Sequence, residues 1–127
     1  MIKFYSDNEF NDVIYYDDSR TVIIDSGIVN KRQLIDYIET LLCAPYEGDN
    51  WDGFEEALRD LSWLKEKNIV LYHANLPSLP DSELAIYIDI IKIASQSWDS
   101  KSVNSFRSNT IKCFYALFPE SIRDIIQ

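Results

Sequence analysis

No apolar run in this chain approaches the roughly 18 residues that a membrane-spanning helix needs. The N-terminal MIKFYSDNEF also lacks the long apolar stretch of a secretory signal. The chain is therefore expected to be cytoplasmic. Basic residues are scarce as well: 12 Lys and Arg stand against 21 Asp and Glu, for a net charge of -9 and a pI near 4.4. Binding to RNA, DNA or anionic lipid requires a basic surface, so none of these is expected as a direct partner. An acidic chain steers basic partners toward itself, and acidity also serves plain solubility.

Cysteine is limited to Cys43 and Cys113. Two cysteines so far apart are no disulfide scaffold, and without a CxxC pair a structural zinc site is not expected. Each lies in an apolar run, so both are expected as buried thiols. Histidine occurs once, at His73. No serine or cysteine nucleophile motif and no phosphate loop accompanies it, so a hydrogen-bonding or capping role is expected there rather than catalysis. The chain is expected not to be an enzyme and to need no cofactor or metal. Neither an internal repeat nor a linker is visible, so 127 residues read as one domain.

What is present is a foldable core: 46% hydrophobic and 13% aromatic residues, well above a disordered composition. KFY and VIYY, around SDNEFND, read either as two short strands of a hairpin or as a loose arm. TVII (21–24) is a β-branched run of buried-strand type. Leu34, Ile35, Ile38, Leu41 and Leu42 then fall on one face of a helix over 31–42, which Ala44-Pro45 ends. A turn at YEGDN follows, where Gly48 offers unusual φ/ψ freedom and Asp49 or Asn50 can cap a helix over 51–64. That helix is two-faced. Phe54, Ala57, Leu58, Leu61 and Leu64 cluster on one side, and Asp52, Glu55, Glu56 and Arg59 on the other.

NIVLY (68–72) is a second strand. A helix from Asp81 or Ser82 carries Leu84, Tyr87, Ile88, Ile91, Ala94 and Trp98 on its main face. Ile86, Ile90 and Ile93 form a second flank, so it is expected to be buried on more than one side. DSKSVNSFRSNT (99–110) reads as a loop, TIKCFYAL (110–117) as a third strand, and Pro119 opens a short final helix. This order predicts an α/β fold: a small three-stranded parallel sheet with right-handed crossovers, packed with about four helices, and a possible extra N-terminal hairpin.

The segment APYEGDNWDGFEEALRDL (44–61) resembles the barstar family. That family's signature is an aromatic and glycine turn, then Asn-hydrophobic-Asp, then a helix with a second acid four residues on. Tyr46, Gly48, Asn50, Trp51, Asp52 and Glu56 match it. The resemblance covers residues 20–127, with 1–19 as an N-terminal extension of the same domain, and the loop 99–110 also reads as an addition. It implies a ribonuclease inhibitor, an antitoxin or immunity protein, whose acidic helix and preceding loop enter the nuclease active site. Its partner would be a basic ribonuclease, and the free protein is expected to be a monomer. The implied contact residues are Tyr46, Gly48, Asn50, Asp52, Glu55, Glu56 and Arg59. Three positions depart from the namesake pattern: Glu56 is longer than the usual Asp, Glu55 replaces an aromatic, and Arg59 replaces a small polar residue. They put the family's usual nuclease partner in question.

Each of these residues also has a plainer role. Asp52 in a first helical turn favours the macrodipole by about 0.3–1 kcal/mol. Glu55 and Arg59 form an ordinary i,i+4 pair. Tyr46 anchors the loop or meets the partner; Trp51 is expected to pack half-buried, and Trp63 and Trp98 to sit in the core or at its rim. A glycosidase pair of Asp52 and Glu56 is not expected, since they share one helix rather than flank a cleft. A metal site would need Glu55, Glu56 and His73 to converge. The alternative function is an interaction module that binds another basic partner through the same fold.

Overall fold

Four strands make one sheet in the computed structural model, which describes residues 1–6, 17–45, 48–104 and 111–127, the side chains of 102–104 excepted. They are β1 (Ile2–Tyr5), β2 (Ser19–Ile24), β3 (Asn68–His73) and β4 (Cys113–Pro119), all parallel, in the order β1-β4-β3-β2. The helices are α1 (Lys31–Leu41), α2 (Trp51–Asp60), α3 (Asp81–Asn104) and α4 (Arg123–Ile126), the last preceded by a 3-10 turn, Glu120–Ile122.

The sheet thus has one strand more than the sequence pattern predicts. KFY falls in β1, which pairs in parallel with β4, Ile2 opposite Ala116 and Phe4 opposite Phe118. VIYY lies outside the described residues. Four residues carry little periodicity, and the partner comes from the far end of the chain, so no local signal marks β1 as a sheet strand.

Strand alternation splits the core in two. Val22, Ile24, Ile69, Leu71, Phe114, Ala116 and Phe118 face the helices. There they pack with Leu34, Ile35 and Ile38 of α1, Phe54 and Leu58 of α2, and Tyr87, Ile91, Ala94 and Trp98 of α3. The intervening residues Tyr5, Val70, Tyr72 and Leu117 form a second buried cluster, with Tyr5 and Tyr72 stacked at 4.9 Å. The steps β2 to β3 to β4 run in one direction, so right-handed crossovers put α1, α2 and α3 on the same face.

Helix ends explain most differences from the sequence pattern. Asn30 caps α1 by accepting from Gln33 N at 2.8 Å, and the Gln33 side chain accepts from Val29 N at 2.9 Å. α1 closes with Cys43 at φ 54 and Ala44 N bonded to Glu39 O at 2.9 Å. α2 stops at Asp60, four residues before the end of its apolar pattern, because Leu61 turns left-handed at φ 52. Its last carbonyls go to α3: Trp98 Nε1 donates to Leu58 O and Lys101 Nζ to Arg59 O, both at 2.8 Å. The same contact carries α3 through Asn104, where the polar composition predicts a loop from residue 99; Lys101 also lies 4.1 Å over the Trp98 ring. The second flank of α3 is only partly covered. Ile90 is buried, but Ile86 and Ile93 are exposed.

Both cysteines are exposed, contrary to their apolar neighbourhoods. Cys43 sits in the left-handed turn after α1, and Cys113 is the first residue of β4, at the end of the covered sheet. His73 is fully buried at the end of β3. Its Nδ1 lies 3.0 Å from Leu117 O and so carries the proton; Nε2, 2.6 Å from Tyr87 Oη, accepts from that hydroxyl. Burial pushes its pKa down to about 4.

Candidate functional site

α2 begins because Asn50 holds extended backbone and its side-chain oxygen accepts from Gly53 N at 2.7 Å. That bond occupies the Asn50 side-chain oxygen. Gly53 fits tightly over the cap: a Cβ there would meet Asn50 Oδ1 at 3.2 Å. Phe54, Ala57 and Leu58 bury the inner face of α2. Trp51 is half-buried, edge-on to Phe54 at 6.2 Å, with Lys31 Nζ 5.9 Å from its ring.

The outer face is acidic. Asp52 and Glu56 are exposed one turn apart, and among the described residues neither is in an ion pair. Glu55 is half-buried and pairs with Arg59 at 3.4 Å. Asp49 and Asp60 extend the charge at either end of the helix. The structure therefore brings Asn50, Asp52, Glu55, Glu56 and Arg59 together on one element. Gly48 lies on the approach to it, and Tyr46 is outside the described residues. The expected special conformation of Gly48 is not found: no described glycine has positive φ, and a Cβ at Gly48 would meet nothing within 4 Å.

The approach to α2 crosses the molecule. Arg20, at the start of β2, reaches the end of α1 at Leu41 O, whereas Lys31, at the start of α1, lies against Trp51. α1 and α2 thus start from the same end, so the ends of the connection, at Leu42 and Asn50, are separated by roughly the length of α1, about 16 Å. Sequence reasoning missed the residues that hold this return. Arg20 forks onto Glu66, with Nε to Oε2 at 2.8 Å and Nη2 to Oε1 at 3.0 Å. Trp63 Nε1 donates to Leu42 O at 2.7 Å. Buried Lys112 donates to Leu64 O at 2.6 Å and Glu66 O at 2.8 Å, and its desolvation lowers its pKa. The signals that could have found them are a charge immediately before a β-branched run, at Arg20, and one inside TIKCFYAL, at Lys112.

The arrangement is a convex charged face rather than a cleft. A cleft of about 440 Å3 lies elsewhere, between β1, α3 and α4, lined by Ile2, Phe4, Lys92 and Gln127. Among the described residues no group of three or more His, Cys, Asp and Glu could hold a metal ion. His73 has both ring nitrogens engaged away from Glu55 and Glu56. Among the same residues no helix is long and apolar enough to cross a membrane.

The model of the barstar family, described as barstar (barnase inhibitor), matches residues 19–111. No curated protein and no solved structure is significantly similar to the chain. The matched span holds β2, α1, the return loop, all of α2, β3 and α3, which is most of the chain and the whole of its acidic face, and the chain belongs to the barstar family.

Proposed function

We propose that this protein is an intracellular inhibitor of a ribonuclease, an antitoxin or immunity protein that blocks the active site with α2 and the loop before it. One observation carries the reading. Asp52 and Glu56 stand exposed and one turn apart on a helix whose other face is locked into the core. Cβ atoms at i and i+4 lie roughly 5–6 Å apart. Two carboxylates at that spacing can occupy the places of RNA phosphates, since a carboxylate meets an arginine in the same two-pronged way. Tyr46, Gly48, Asn50 and Glu55 complete the contact around them, and the protein performs no chemistry of its own. Its net charge of -9 draws a basic nuclease toward this face.

The test is a titration into barnase-type ribonucleases, including any encoded beside this gene, while RNA cleavage is followed. Stoichiometric loss of cleavage is expected. A panel of such enzymes that neither slows nor binds sinks the reading, and a basic partner of another kind recovered from native lysate would put an interaction module in its place. Raising the salt should slow association more than it speeds dissociation.

Arg59 on an otherwise acidic face gives specificity. The cognate nuclease should carry an acidic or neutral group opposite it, so Arg59→Glu should weaken binding on the order of 10-fold. Unchanged or tighter binding, measured by stopped-flow kinetics, excludes that assignment.

A further inference from the structure

Residues 41–43, where the chain leaves α1, share the side chain of Arg20 with Glu66. Arg20 spends its guanidinium on two segments: Nε and Nη2 fork onto Glu66, beyond α2, and Nη1 reaches Leu41 O at 3.1 Å and Cys43 Sγ at 3.6 Å, where the loop begins. Glu66 is largely covered, its side chain 12% exposed, and its backbone is fixed from behind by Lys112. Trp63, from the same turn after α2, holds the neighbouring carbonyl of Leu42. Arg20 therefore ties residues 41–43, ahead of α2, to Glu66, beyond it, while the Asn50 cap and Trp51 fix the start of the helix; every candidate contact residue lies between positions 41 and 66 in the chain.

We propose that Arg20 is a positioning residue for the inhibitory face: it lies at the opposite end of α1 from the start of α2, outside any contact centred on Asp52 and Glu56, and sets affinity by holding the loop in its bound arrangement. A loop fixed before binding has less freedom to lose on association. The planar fork meets the Glu66 carboxylate with two N–H groups while Nη1 turns to Leu41 and Cys43, a two-pronged contact that a lysine ammonium does not reproduce. This role rests on the ribonuclease reading above.

The experiment compares the parent with Arg20→Ala, Arg20→Lys and Glu66→Gln, and with Phe114→Leu as a control that weakens the core on β4, away from the loop. Affinity for an inhibited barnase-type ribonuclease is measured beside amide hydrogen exchange in the free proteins. Arg20→Ala and Glu66→Gln should each lose on the order of 10-fold in affinity, and Arg20→Lys should recover only part of it. Exchange should quicken at the amides of 42–45 in these variants and not in the control, whose affinity stays at the parent value even at matched thermal stability. If Arg20→Ala binds like the parent, if its loop amides are unchanged, or if Phe114→Leu loses as much affinity, Arg20 has no such role. A parent that inhibits nothing overturns the ribonuclease reading itself, and the affinity role with it.

Discussion

Asp52→Ala and Glu56→Ala should each weaken binding to the cognate ribonuclease by about 2 kcal/mol or more, roughly 30-fold, as truncation of a central charged contact does. The size follows from what is left behind. Removing one carboxylate strands the nuclease's cationic groups in a dried interface with nothing to neutralise them, and that penalty exceeds the value of the lost contact. The fold should barely notice. Both side chains are exposed, and among the described residues neither is in an ion pair. Asp52 gives up at most about 1 kcal/mol of macrodipole interaction, and alanine at 56 is as good a helix former as glutamate or better. Calorimetric titration beside urea unfolding separates the two quantities. Variants that unfold, or that bind like the parent, would show these acids to be structural or idle.

Acid should destabilise the protein well above the carboxylate range, by about 3 kcal/mol in all, because of His73. The folded imidazole is held near pKa 4 against its ordinary 6.5, since burial between Leu117 O, Tyr87 and the Phe118 ring 4.1 Å away desolvates it. The unfolded chain therefore takes up a proton as pH drops through about 6.5 while the folded chain does not. Stability is complete above that pH, falls by about 1.4 kcal/mol per unit below it, and levels off beneath about pH 4. Glu66 acts in the same direction but lower on the scale. Its hydrogen bonds from Arg20 hold its pKa below the ordinary 4.5, so its contribution is present above that value and disappears on further acidification. Urea unfolding at pH 7.5 and 5 should show a loss of about 2 kcal/mol in the parent and almost none in His73→Gln. An equal loss in both would trace the effect to another group.

The acidic helix was legible because its information is local. A cap, a 3.6-residue period and two faces of opposite character lie within residues 50–61, and each has a physical reading that needs no partner. Strands β2, β3 and β4 were legible as β-branched or aromatic runs for the same reason. What could not be read depends on distant residues. The αL turn at Leu61 carries no glycine to announce it; it is set where Trp98 and Lys101 take the carbonyls of Leu58 and Arg59. The polar run from Asp99 looks like a loop until α2 gives it something to hold. Arg20 and Glu66 are 46 positions apart, and nothing in SRTVII or KEKN says they meet. The cysteines misled for a related reason: an apolar neighbourhood predicts burial only in the middle of an element, and both lie at an end.

The strand order has a consequence for biogenesis. β1 emerges first from the ribosome, yet its partner in the sheet is β4, at residues 113–119, and β4 also closes the second edge of β3. Until β4 is made, β1 has no partner in the sheet and β3, once formed, has one unfilled edge, an invitation to aberrant annealing that the later strand removes. Closure of the sheet therefore waits for β4 and is governed by contacts of the longest range, the slow class among small domains.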